Sequence, residues 1–188
     1  SGVIQRASSV VTTPLFTRIL STEEYAQFAL YSSWQSIIQI FVTLNVFNYA
    51  TYTAMVKFEN DRDGFLTSAQ TLVTCLTAVV FGGYCALRVV MGDAFGFPLP
   101  VVALMFLELL FTASYNLWMQ KKRYEYQYRV MTAVSVLLGF LAPVCGILGV
   151  FLSANRGYGR IYGNAAAHIL IGVVLYGVIL SKSGRFCC

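Results

Sequence analysis

The stretch FPLPVVALMFLELLFTASYNLWMQKKR occupies residues 97–123 and indicates the class of the fold. Residues 97–120 contain a single charged side chain, Glu108, and three consecutive cations follow them. A helix needs about 20 mostly apolar residues to cross the hydrocarbon core of a bilayer. The stretch therefore predicts a transmembrane helix that ends at a charged membrane surface.

The composition of the whole chain agrees with this prediction. Of the 188 residues, 57% are hydrophobic and only 11% are charged, against roughly 45–50% and about 25% in a soluble domain. So high a hydrophobic content excludes an intrinsically disordered chain, and so few charges cannot cover the surface of a small soluble enzyme. We therefore expect an all-α, polytopic membrane protein.

Five further segments are predicted to cross the membrane, in both directions from residues 97–120. The first is the least apolar, because it contains Arg6, Pro14 and Arg18. The connections are too short to hold a soluble domain, so the chain is interpreted as a single transmembrane domain, residues 1–188. The six predicted spans are residues 3–20, 25–50, 65–91, 97–120, 130–153 and 161–180.

The distribution of Lys and Arg predicts the orientation, because cytoplasmic loops carry an excess of these residues. An N-terminus inside the cell places nine of the 13 cations on the cytoplasmic side. The cluster KKR at 121–123 is the strongest single signal. The four cations then left outside are Arg18, Arg88, Arg156 and Arg160.

Polar residues inside the spans are the candidate functional residues, since charges are costly within a membrane and usually face a bundle interior or a cavity. In the fourth span, Glu108, Thr112 and Asn116 follow at intervals of four and share one helical face. Glu108 and Asn116 are therefore candidates for the lining of a substrate or proton path. The alternative for Glu108 is a carboxyl group that is protonated or hydrogen-bonded to a neighbouring helix.

Three other spans carry polar stripes of the same kind. Gln35 and Gln39 lie on one face of the second span, and Asn164 and His168 on one face of the sixth. The stripe of the third span consists of Thr67, Thr71 and Thr74. Each stripe is also compatible with ordinary hydrogen bonds between helices. Together they favour a hydrated central cavity, for which Gln35, Gln39 and His168 are candidate lining residues.

The two arginines of the first span are candidates for binding an anionic group. Arg6 and Arg18 would lie about 18 Å apart along a straight helix, with Pro14 between them to bend it. An Arg fork suits phosphate or pyrophosphate. The alternative is that both side chains extend to opposite membrane surfaces.

No constellation of catalytic residues is recognisable in the sequence. There is one His, no nucleophile–His–acid pattern, no phosphate-binding glycine loop and no zinc spacing. The five Cys residues show no disulfide framework. We therefore expect neither enzymatic activity nor a cofactor or metal. The segment GRIYG at 159–163 is a weak G-x-x-x-G pattern that could allow close contact between helices.

The segment PLFTRILSTEEYAQFALY, residues 14–31, resembles the opening signature of bacterial polysaccharide flippases, the O-antigen and exopolysaccharide translocases of the Wzx type. The family typically has glycine after the Glu-Tyr pair, where this chain has Ala26. The basic aromatic loop KKRYEYQYR and the segment GRIYGN resemble later segments of the family. The residues that carry the opening signature are Pro14, Thr17, Arg18, Leu20, Glu24 and Tyr25.

This resemblance implies a transporter fold of two six-helix lobes around a central cavity, of which the chain would supply the N-terminal lobe. The C-terminal lobe is then expected to follow Arg185. The implied activity is the flipping of undecaprenyl-pyrophosphate-linked oligosaccharide across the bacterial inner membrane, without making or breaking a bond. The implied partners are this lipid-linked oligosaccharide, the lipid bilayer and other proteins of polysaccharide assembly, with no nucleic acid.

Three other functions stay open at this point. A drug or cation exporter of the same superfold should line its cavity with acids and aromatic rings, whereas this chain has a formal charge of +5. A membrane-bound enzyme of polysaccharide assembly should show a long outer loop or an intramembrane His/Asp pair. The last alternative is a membrane adaptor that transports nothing.

Overall fold

A computed structural model of the protein describes residues 14, 16, 18–43, 53, 57, 62–91, 96–153 and 155–183. All regular secondary structure of these residues is helical, which confirms the predicted all-α class. The five helices are α1 (Thr22–Thr43), α2 (Arg62–Met91), α3 (Leu99–Tyr124), α4 (Tyr128–Leu152) and α5 (Arg156–Ser183).

Four of these helices are long and apolar enough to cross a membrane. The crossing segments are Gly64–Arg88, Leu99–Tyr124, Tyr128–Leu152 and Arg156–Ile179, which agree with the last four predicted spans. The segment on α5 begins five residues earlier than predicted, at Arg156 rather than at 161. The chain is thus a membrane protein with at least these four candidate spans.

Neither of the first two predicted spans is among the helices that are long and apolar enough to cross a membrane in the described residues. Most of the predicted span at 3–20 lies outside the described residues. In the predicted span at 25–50, α1 ends at Thr43 and residues 44–50 lie outside the described residues. The serine and glutamine side chains of α1 lower its hydropathy, and it is not among the membrane-crossing helices. A total of six spans and a two-lobed fold therefore stay predictions.

Helices α3 and α5 form the centre of the bundle, because each of them contacts all of the other four helices. Helix α3 is the most deeply buried: 61% of its most apolar window is buried, against 28–33% for the other three crossing helices. The remaining helices expose apolar side chains outward, as a bundle surrounded by lipid should. Examples are Val79, Phe140, Phe151 and Leu170.

The start of α1 is held by a reciprocal pair of hydrogen bonds. The Ser21 backbone N–H donates to Oε2 of Glu24 (2.8 Å), and the Glu24 backbone N–H donates to Oγ of Ser21 (3.2 Å). This capping box satisfies two backbone donors that a helix start leaves free. It explains locally why the chain enters a helix after the segment that contains Arg18.

Helices α4 and α5 approach closely along glycines. A side-chain carbon built at Gly149 would meet the backbone of Gly159, and one built at Gly163 would meet the carbonyl of Cys145. The weak G-x-x-x-G pattern at 159–163 therefore marks a real helix contact. Only hydrogen at these positions allows two backbones to lie against each other.

We expect Gly163→Ala to destabilise the bundle by about 1–3 kcal/mol, because the added methyl group collides with the α4 backbone. The matched control is Gly177→Ala on the same helix, where nothing lies within 4 Å of the added carbon. The control should be neutral or slightly stabilising, because alanine is the better helix former. Thermal unfolding of both variants in detergent measures the difference, and equal melting temperatures would contradict the close contact.

The orientation predicted from the charges can be tested at two exposed positions. Tyr126 lies between α3 and α4, and Asn155 lies between α4 and α5, so a membrane-crossing α4 places them on opposite sides. In a background lacking the native cysteines, Tyr126→Cys should react with a membrane-impermeant maleimide only in inverted vesicles. Asn155→Cys should react in intact cells. The reverse pattern would invert the topology.

Candidate functional site

A buried carboxyl group joins three helices in the interior of the bundle. Glu108 of α3 is 2% exposed. The hydroxyl of Tyr31 on α1 donates a hydrogen bond to its Oε2 at 2.8 Å. Nδ1 of His168 on α5 lies 3.3 Å from its Oε1. We call Tyr31, Glu108 and His168 the carboxylate cluster.

The imidazole of His168 has two oxygen neighbours at the same nitrogen. Its Nδ1 lies 3.0 Å from the backbone carbonyl oxygen of Asn164 as well as 3.3 Å from Glu108. When Nδ1 carries a hydrogen, it can donate to both oxygens. A protonated Glu108 can instead donate to a bare Nδ1, but the Asn164 carbonyl then loses its donor. The pair can therefore hold a proton on either side chain, which is the chemistry that this arrangement allows.

Tyr31 is the member of the cluster that the sequence analysis missed. It precedes Gln35 and Gln39 by four and eight residues, so it lies at one edge of the same stripe on α1. Its side chain is 2% exposed, whereas Gln35 and Gln39 are half-buried. The periodicity could have identified Tyr31 as part of a polar stripe, but not as the partner of Glu108.

The other predicted lining residues lie at a distance from the cluster. Asn116 is half-buried and lies eight residues beyond Glu108, about 12 Å along α3. Gln35 and Gln39 lie about 6 and 12 Å from Tyr31 along α1. The structure thus brings Glu108 and His168 together and places the other three along the helices that lead away from them.

Arg18 is exposed, and Arg6 lies outside the described residues. Arg18 forms no ion pair with the part of the chain that the structure describes. Two residues of the same segment contact α5: the Phe16 ring packs on Arg160, and the Ile19 carbonyl accepts a 3.5 Å hydrogen bond from Arg156. A helix advances about 100° per residue, so Arg18 points away from Phe16.

Arg160, near the start of α5, is a half-buried cation that lies among aromatic rings. Its guanidinium carbon lies 3.9 Å from the centroid of the Phe16 ring, 3.8 Å from that of Phe28 and 5.3 Å from that of Tyr25. Cation–π contacts of this kind contribute about 0.5–2 kcal/mol each. They fasten the segment before α1, and α1 itself, to the start of α5.

Nearly the whole chain is similar to a known protein family. Residues 1–186 match the model of a family described as polysaccharide biosynthesis protein. Searches of curated proteins and of solved structures find no match. The family match covers nearly the whole chain, so it applies to the same residues as the fold and the carboxylate cluster.

Removing the Tyr31 hydroxyl should destabilise the bundle, because Glu108 would keep a buried oxygen without its donor. We expect Tyr31→Phe to lower the free energy of unfolding by about 1–3 kcal/mol. Tyr162→Phe is the matched control, since Tyr162 is 42% exposed, and it should change stability little. Thermal unfolding in detergent measures both. An effect of equal size in the control would show that the hydrogen bond contributes nothing specific.

Proposed function

Because the chain belongs to the polysaccharide biosynthesis protein family, we propose that it flips lipid-linked oligosaccharide repeat units across the bacterial inner membrane. The proposed substrate is an undecaprenyl-pyrophosphate-linked oligosaccharide, and the proposed orientation has the N-terminus inside the cell. Flipping moves the substrate between leaflets without making or breaking a bond. The protein would accordingly act as a transporter and not as an enzyme.

The carboxylate cluster is the observation that carries this proposal. A carboxyl group that is 2% exposed on a membrane-crossing helix is costly unless its neighbours satisfy it. Here the neighbours come from two other helices, α1 and α5. If the packing of the helices depends on the Glu108 carboxyl group, gain or loss of a proton there can change this packing. Alternating access needs an element that can switch between two arrangements in this way.

A polar face on α1 supports a passage beside the cluster. Ser32, Ser36, Gln35 and Gln39 lie within roughly 100° of arc around the helix, next to the buried edge that carries Tyr31. Ser36 is exposed, and its hydroxyl donates to the carbonyl of Ser32 at 2.8 Å. Its oxygen can still accept hydrogen bonds from water or from sugar hydroxyls.

A second polar face lies on α2. Ser68 and Thr71 are exposed, and their hydroxyls donate to backbone carbonyls of the preceding turn, at 3.0 and 2.9 Å. They leave acceptor oxygens outward in the same way as Ser36. We propose that the polar faces of α1 and α2 border the route of the oligosaccharide. Arg18, exposed and without an ion pair to any described residue, and Arg6 are proposed to bind the pyrophosphate.

The test is flipping of a fluorescent polyprenyl-pyrophosphate-linked oligosaccharide in proteoliposomes that contain the complete protein. We expect flipping above the rate of protein-free vesicles, and a loss of roughly tenfold or more in Glu108→Gln. Glutamine keeps the size of the side chain but cannot exchange a proton. The amount of folded protein should fall much less than the rate.

Glu23→Gln is the matched control, because Glu23 is an exposed carboxylate at the start of α1, outside the cluster. It should flip at the parent rate. A wild-type protein that leaves this lipid in its original leaflet would contradict the proposed function. Normal flipping by Glu108→Gln would leave the function intact and reduce the cluster to a packing element.

A further inference from the structure

The turn between α3 and α4 is fixed near the membrane surface. Helix α3 ends at Tyr124 and α4 begins at Tyr128, and both are long and apolar enough to cross the membrane. Only residues 125–127 connect them. Four exposed side chains, which we call the cap patch, surround this turn: Arg123, Tyr126, Tyr128 and Arg129.

Tyr126 occupies a backbone position that favours glycine. Its φ angle is 55°, in the left-handed region. The Gln127 N–H donates to the carbonyl of Lys122 (3.0 Å), and the Tyr126 N–H donates to that of Arg123 (3.2 Å). These are the two hydrogen bonds of a Schellman cap, whose left-handed residue is usually glycine. A side chain there destabilises the cap relative to glycine.

The tyrosine ring does little for the fold that would offset this strain. It is 79% exposed, and it packs edge-on against Tyr128, with 6.0 Å between the ring centroids. A large aromatic side chain held in an unfavourable backbone conformation and turned outward indicates a contact outside the chain.

The charges of the turn leave two arginines available. The only acid, Glu125, is bonded by Lys122 (2.8 Å) and lies 3.7 Å from Lys121. Arg123 and Arg129 are exposed and form no ion pair with any described residue. Arg129 also lies in the first turn of α4, where the positive end of the helix dipole disfavours a cation. Its position, like that of Tyr126, opposes a local preference.

We propose that the cap patch binds the anionic phospholipid headgroups of the leaflet that it faces. Guanidinium forks match phosphate oxygens, and tyrosine rings lie at headgroup level in membranes. Anionic lipids attract basic residues close to the ends of transmembrane helices. The inference rests on the helices crossing a membrane and is independent of what the protein transports.

Trp118 is a reporter near the patch, because it lies five residues before Arg123 on α3, about 7.5 Å along the helix. Its ring lies 5.9 Å from Nζ of Lys122, the neighbour of Arg123. Trp34 is the other tryptophan of the chain, so Trp34→Phe leaves Trp118 as the sole tryptophan, which is excited selectively over tyrosine. Two sets of phosphatidylcholine nanodiscs are compared. One contains brominated phosphatidylglycerol, and the other contains the same fraction of brominated phosphatidylcholine. We expect brominated phosphatidylglycerol to quench about twofold more strongly, and this excess to fall at high salt.

Two variants separate lipid binding from folding. The double variant Arg123→Gln/Arg129→Gln should abolish the excess quenching. Tyr126→Gly should reduce the excess while its melting temperature stays equal to the parent's or rises, because glycine relieves the strained backbone. Arg156→Gln is the control and should retain the excess, because Arg156 starts α5 and a membrane-crossing α4 places it on the side opposite the cap patch.

Equal quenching by the two brominated lipids in the parent protein would overturn the proposal. So would an unchanged excess in the double arginine variant. A Tyr126→Gly variant with a clearly lower melting temperature would show that the tyrosine serves the fold instead. Mass spectrometry of the lipids that co-purify with the protein without the Trp34→Phe substitution provides a second measurement. Phosphatidylglycerol should be enriched among these lipids, and the double arginine variant should lose this enrichment.

Discussion

The burial of one carboxyl group constrains how the helices of this protein meet. Glu108 lies on the most deeply buried helix, where neither water nor lipid headgroups can satisfy it. An unpaired polar group in such a place costs several kcal/mol, so its partners must come from neighbouring helices. Tyr31 and His168 supply them, and the position of α1 and α5 along α3 follows from this requirement.

Helix α5 connects this constraint to the rest of the bundle through its different faces. His168 faces Glu108 on α3, the glycines at 159 and 163 face α4, and Arg160 faces the rings of Phe16 and Phe28. The glycine face tolerates no larger side chain without a shift of backbone, so α4 and α5 should move together. A displacement of this pair against α3 would change the distance between His168 and Glu108. The carboxylate cluster therefore lies where relative movement of the helices and protonation can influence each other.

The cap patch differs from the interior of the bundle, because its side chains are exposed. Inside the bundle, a side chain such as that of Glu108 is stabilised or destabilised by its contacts with other residues of the chain. At the turn after α3, a tyrosine in a left-handed backbone position and an arginine at a helix start both oppose local preferences. Local residue preferences normally agree with the overall fold, and the exceptions concentrate at functional sites. The membrane surface is the contact that the exposed aromatic and cationic side chains fit.

The sequence by itself determined the class of protein, the family resemblance and the positions of the four apolar helices. Hydrophobic length and composition decide whether a segment can cross a bilayer, and neither depends on the neighbouring helices. The helical period also placed Glu108, Gln35, Gln39, Asn116 and His168 on polar faces. It could not pair them, because a period describes one helix at a time. Only the tertiary structure brought Tyr31 to Glu108 across 77 residues of sequence and enclosed Arg160 between two phenylalanine rings. Such contacts depend on the distance and rotation between helices, which are set by packing of the whole bundle.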